Sequence, residues 1–140
     1  MTISIQNIIS LLNSQVIGEI TNEVIETISI DSRSLQNDGE TLFFALVGPN
    51  HDGHIYIEGL INKGVKAFVV HYIPENVKGK AVFLQVDNTL DALQKIAAYY
   101  RGLFHFPVIG ITGSNGKTII KEWLNFLLSP DYNIIRSPKS

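Results

Sequence analysis

The segment Val108-Ile109-Gly110-Ile111-Thr112-Gly113-Ser114-Asn115-Gly116-Lys117-Thr118 constrains this chain more than any other, because an apolar run enters a glycine loop and leaves it as a helical pattern. Glycines at 113 and 116 let the backbone fold back so that successive N–H groups face one concavity at a helix N-terminus, where the dipole also favours anions. Lys117 adds a mobile full charge for the outer phosphates, and the Thr118 hydroxyl stands where such loops ligate Mg²⁺. These residue types point to ATP and Mg²⁺, held by Gly113, Ser114, Asn115, Gly116, Lys117, Thr118 and Ile119, with Lys117 and Thr118 taking part in catalysis. Ile111 stands where the general pattern has its first glycine, with Gly110 and Gly113 on either side of it. The competing reading is a glycine turn that only caps a helix; the apolar run before the loop and the Lys-Thr pair after it favour phosphate.

Residues 119–140 are all that follow Thr118, enough for one helix and one strand. A phosphate-loop domain needs several further βα units of about 30 residues each. The expected organisation is therefore a complete N-terminal domain over residues 1–105 and an incomplete ATP-binding domain from 106 to 140, which alone should not turn over ATP. Composition narrows the alternatives. Hydrophobic residues make up 45% and charged ones 17%, which excludes disorder over the whole length. Eleven Lys and Arg against thirteen Asp and Glu leave no basic excess to match a nucleic-acid backbone. The lack of cysteine excludes disulfides and thiolate metal sites and suits a reducing compartment, so a cytoplasmic protein is expected. The N-terminus has no basic leader, and apolar runs such as Thr41 to Val47 fall far short of the roughly 20 residues that cross a bilayer, so no membrane insertion is expected.

Periodicity supplies the elements. Ile5, Ile8, Ile9, Leu11 and Leu12 recur at helical spacing behind Thr2 or Ser4 as a cap. Strands are predicted over Val24 to Ile30 and Thr41 to Val47, around a polar loop from Asp31 to Glu40. A helix from Ile55 to Lys63, ended by Gly64, and a strand from Lys66 to Tyr72 make a βαβ unit. Ala81 to Val86 reads as a strand. Thr89 to Phe104 reads as a helix capped by Asn88 or Thr89, with Leu90, Leu93, Ile96, Ala97 and Tyr100 on one face. Val108 to Thr112 is predicted as a strand, Lys117 to Leu128 as a helix, and Asn133 to Ser140 as a further strand. The fold class is α/β: a small mixed-sheet N-terminal domain, then the first strand, phosphate loop and helix of a truncated ATPase domain.

The arrangement resembles the Mur ligase family, ATP-dependent enzymes that add amino acids to UDP-N-acetylmuramoyl peptides in bacterial wall synthesis. Thr112 to Thr118 (TGSNGKT) is similar to the family's loop, including the absence of the usual first glycine. Upstream, Ile30-Asp31-Ser32-Arg33, Gly39, Leu42 to Leu46, Gly48, Asp52-Gly53-His54 and Gly64-Val65-Lys66-Ala67 follow the family's N-domain pattern in order and spacing. The version resembled is that of the members adding the third residue or the dipeptide. Ser114 and Lys121-Glu122 look more like the member that adds D-alanyl-D-alanine, so UDP-N-acetylmuramoyl-peptide and D-alanyl-D-alanine are the implied partners. The resemblance further implies that Ser32 and the backbone at Ile30 meet the uridine nucleotide and that Asn50 and His51 approach it.

From its residue type, Arg33 offers two parallel donors to a phosphate, yet an ion pair with Asp31 that only steadies a turn is an equal account. His51-Asp52-Gly53-His54 has the residue types of a metal site but no third ligand cluster; an Asx turn made by Asp52, with Gly53 at positive φ, is the expected local structure. His71 and His105 read as boundary residues, and Tyr100 and Trp123 as packing. The rival functional class is a stand-alone, non-catalytic nucleotide-binding module; a small phosphate-loop kinase ranks below it, since more than a hundred residues precede the loop.

Overall fold

A computed structural model describes residues 2–21, 24–33, 35 and 39–138. Residues 34, 36–38, 139 and 140, within the predicted 31–40 loop and the predicted last strand, lie outside the described residues. The chain forms two units, Met1–Phe104 and His105–Ser140.

The first unit is built on a five-stranded sheet ordered β2-β9-β8-β5-β4. Its members are β2 (Gln15–Ile17), β4 (Thr27–Ser29), β5 (Thr41–Phe44), β8 (Ala67–Val70) and β9 (Val82–Gln85). β4, β5, β8 and β9 run parallel, while β2 pairs antiparallel with β9 at the edge. Two-stranded pairs join β1 (Ile3–Ser4) to β3 (Val24–Ile25) and β6 (Val47–Gly48) to β7 (His51–Asp52). The helices of this unit are α1 (Ile5–Leu12), α2 (Ile57–Asn62) and α3 (Thr89–Gly102).

Alternation along the strands sends successive side chains to opposite faces. Leu42, Phe44, Ala67, Val69, Val82 and Leu84 face α1 and α3, where Ile5, Ile8, Leu12, Ala92 and Ile96 complete one core. Phe43, Phe68 and Phe83, in register on three adjacent strands, face the other way and pack with Ile57 and Leu60 of α2. Their rings lie 6.2 Å apart edge-to-face and 5.7 Å apart stacked. The connection through α2 makes the expected βαβ unit, and Gly64 follows the helix at φ 98°.

Capping explains the helix starts. The Ser4 hydroxyl accepts from the Asn7 N–H, and the Asn88 side chain accepts from Leu90 and Asp91, each satisfying donors that an uncapped helix leaves open. Other expectations need correction. The strand over Val24 to Ile30 breaks at Glu26, where the chain changes partner: β3 pairs with β1 and β4 with β5, and the N–H groups of Glu26 and Thr27 both reach the Glu40 carbonyl. The strand over Thr41 to Val47 stops at Phe44, since the Leu46 N–H turns back to the Phe44 carbonyl. The helix expected from Ile55 opens with a 3₁₀ turn over Gly53–Tyr56. On α3 the buried residues are Thr89, Ala92 and Ile96, whereas Leu90 and Ala97 are exposed.

Among its described residues the second unit holds one helix, α4 (Lys117–Leu128). Val108 to Thr112 and residues 133–138 take no strand, because a strand needs a hydrogen-bonding neighbour and this unit's described residues contain no other. The segment after α4 is tied to it through Lys121 Nζ, 2.9 Å from the Ser137 carbonyl, and through an Arg136–Glu122 ion pair.

Candidate functional site

Parallel strands carry their binding loops at their carboxyl ends. At the end of β4, Ser29 Oγ ties down the Asp31 backbone at 3.2 Å, and Asp31 Oδ1 accepts from the Arg33 N–H at 2.9 Å. The Arg33 guanidinium meets the same carboxylate with two parallel bonds, 2.9 Å from Nε and 3.0 Å from the terminal nitrogen. The turn-steadying ion pair is therefore present, while the Arg33 side chain remains 88% exposed with donors to spare. The Arg33 hydrogen bonds hold the Asp31 carboxyl at about 2, and the Asp31 carboxylate pushes Arg33 up. Lys63, at the end of α2, donates to the Ser32 carbonyl at 3.2 Å and brings a second cation to this loop. Ile30 is exposed beside it.

At the end of β5 the β6–β7 hairpin turns at Pro49-Asn50, leaving Asn50 and His51 exposed. His51 stacks on Tyr56, with ring centroids 5.7 Å apart. Ser32 and Arg33 thus have Lys63 beside their loop, and His51 has Tyr56 beside its own; Lys63 and Tyr56 are residues the sequence reading did not single out. The one signal for Lys63 and Tyr56 was their place on the connection between two parallel strands, and fixing their partners requires the sheet register.

The His51-Asp52-Gly53-His54 loop makes the expected Asx turn, with the His54 N–H 2.9 Å from Asp52 Oδ1. Gly53, however, does not take positive φ. It is glycine because a Cβ there would stand 2.9 Å from Ala45 Cα and Leu46 N, inside contact distance of backbone that cannot move aside. His54 is buried, and both its ring nitrogens are used: Nδ1 lies 2.6 Å from Asp52 and Nε2 accepts from the His71 N–H at 3.1 Å. Next to it, at the ends of β8 and β9, lies a cleft of about 770 Å³ bordered by His71, Tyr72, Asp87, Asp91 and Lys95. Among the described residues no cluster of three His, Cys, Asp or Glu could hold a metal ion.

In the second unit Gly113 takes φ 148° and Gly116 φ 77°, values that L side chains resist. Gly116 precedes α4 with no side-chain cap, so the first-turn amides of Lys117, Thr118 and Ile119 open the helix as an anion-binding end. Lys117 Nζ donates to the Gly113 carbonyl and so spans the loop. Ser114, Asn115 and Thr118 are exposed around it. These groups suit a polyphosphate.

Comparison with known proteins shows a match over residues 24–101, more than half of the chain, to the family described as Mur ligase family, catalytic domain. The chain belongs to the Mur ligase family. Among Mur ligases, it is 35% identical to the UDP-N-acetylmuramoyl-tripeptide--D-alanyl-D-alanine ligase of Borreliella burgdorferi, covering 98% of this chain and 32% of that one. It is 39% identical to the UDP-N-acetylmuramoyl-L-alanyl-D-glutamate--2,6-diaminopimelate ligase of Bacteroides thetaiotaomicron, covering 79% and 23%. MurF from Acinetobacter baumannii superposes with a TM-score of 0.80 at 27% identity, over 94% of this chain and 28% of that one. The MurF ligase of Thermotoga maritima in complex with ADP gives 0.66 at 28% identity, over 81% and 25%. The chain thus spans about a quarter to a third of the length of these relatives. No helix among the described residues is long and apolar enough to cross a membrane.

Proposed function

We propose that this Mur ligase chain carries the substrate-nucleotide head and the opening of the ATP-binding domain of a cytoplasmic enzyme that joins D-alanyl-D-alanine to UDP-N-acetylmuramoyl-tripeptide. The observation that carries the ATP half is the uncapped start of α4, with positive-φ glycines before it and Lys117 across the loop. The names of the Borreliella and Acinetobacter relatives support the reaction, and the ADP in the Thermotoga relative supports the nucleotide. Residues 1–105 form the head and 106–140 begin the ATP domain. The exposed Trp123, Phe126 and Leu127 of α4 suit a helix that opens a larger domain.

When bound, ATP with Mg²⁺ supplies the phosphoryl group that activates the substrate's peptide carboxylate for attack by the incoming amine. The chain's part is positioning and charge neutralisation. The amides from Gly113 to Ile119 would hold the phosphates, Lys117 would neutralise the outer phosphate charge, and the Thr118 hydroxyl would hold the metal. In the head, Arg33 and Lys63 meet the diphosphate of the UDP group, and Ser32, the Ile30 backbone, Asn50 and His51 fix the nucleoside.

The 39% identity to the Bacteroides relative favours a second reading, addition of the third residue. Assaying the full-length protein with each pair of substrates separates the two: ATP-dependent joining of D-alanyl-D-alanine to the UDP-tripeptide is expected. Addition of 2,6-diaminopimelate or lysine to the UDP-dipeptide instead would replace the first reading by the second.

A further inference from the structure

The β6–β7 hairpin has two residues in each strand, too few to hold its shape unaided. What fixes it is a polar network at its foot. Asp52 Oδ1 accepts from the His54 N–H at 2.9 Å and from His54 Nδ1 at 2.6 Å, while Oδ2 accepts from the Tyr72 hydroxyl at 2.6 Å. Nε2 of His54 accepts from the His71 N–H, which leaves Nδ1 as the ring nitrogen that donates to Asp52. The Tyr72 ring lies over His54, with centroids 4.0 Å apart and planes 13° apart.

His54 is only 2% exposed, so it is sealed from any ligand. Its bonds nonetheless join the loop after β5 to the residues after β8, and the exposed Asn50 and His51 stand on that loop. We propose that Asp52, His54 and Tyr72 are positioning residues for nucleotide recognition: they lock the β6–β7 hairpin to the end of β8 and so hold Asn50 and His51 where the uridine nucleotide binds. The proposal rests on the nucleotide-head reading above.

Titration calorimetry of the full-length protein with UDP, and separately with ATP, tests it. Tyr72→Phe keeps the ring over His54 and removes one hydroxyl from a half-exposed residue, so the fold should survive. It should weaken UDP binding about tenfold, as loss of a hydrogen bond to a charged group does, and leave ATP binding unchanged. In a His51→Ala, Asn50→Ala background the same change should have no further effect, because the groups it positions are gone. Asp52→Asn should weaken UDP at least as much as Tyr72→Phe.

Unchanged UDP affinity in Tyr72→Phe, or a loss that adds fully to that of the double variant, would overturn the clamp. Arg33→Ala separates this from the underlying reading. If Arg33→Ala weakens UDP while Tyr72→Phe does not, the clamp alone fails; if the wild-type protein binds no UDP, the nucleotide head fails and the clamp with it.

Discussion

Asp52 shows how one carboxylate can organise a loop. Burial raises its pKa, but bonds from the Tyr72 hydroxyl and from the backbone and ring of His54 outweigh this and hold it at about 2, against 3.8 ordinarily. A carboxyl lowered in the folded state contributes stability that is complete above the unfolded value and disappears as pH falls through the folded one. Urea midpoints should therefore decline between about pH 4 and pH 2, and Asp52→Asn, with a lower midpoint at neutral pH, should decline less over that window. Parallel profiles would show that Asp52 carries no such linkage. The Asx turn at this residue was legible in the sequence, since it joins atoms two residues apart. The bonds to Tyr72 and His71 were not, because they span 17 to 20 residues and exist only once β5 and β8 pair in register. Arg33 was legible as two equal readings, and its guanidinium shows why: it holds Asp31 and still faces solvent.

The sheet depends on the row Phe43, Phe68 and Phe83. Phe68 sits between the other two with no exposure, so Phe68→Ala opens a cavity and breaks two aromatic contacts at once. The expected cost is about 3–5 kcal/mol, measured as a loss of unfolding free energy in urea; a loss below about 1 kcal/mol would mean that the row does not carry the core. Helix limits were the most legible elements, because Ser4, Asn88 and the Gly116-Lys117 junction mark them with local chemistry. The buried face of α3 was legible at Leu93 and Ile96 but not at Leu90 and Ala97, for a reason that hydrophobicity alone hides: this helix lies against α1, and the small side chain of Ala92 fits that contact while Leu90 is exposed. Val108 to Thr112 was read as a strand from its apolar residues, but a strand is a pairing and its partner is not written in the segment itself.

For the whole molecule, the proposed function has both units bear on one reaction. The first brings Arg33, Lys63 and the His51–Tyr56 pair to the carboxyl end of a parallel sheet, and the second offers a glycine loop and helix start to polyphosphate. Membership of the Mur ligase family joins them, and its imprint was readable because motif order and spacing survive where single residues are ambiguous. The most direct measurement is ATP-dependent formation of the UDP-pentapeptide by the full-length protein from UDP-tripeptide and D-alanyl-D-alanine, with and without Lys117→Ala. The account predicts product with the wild-type protein and a loss of at least about a thousandfold in the variant, as removal of a phosphate-neutralising charge implies. Ligation that survives Lys117→Ala would contradict it.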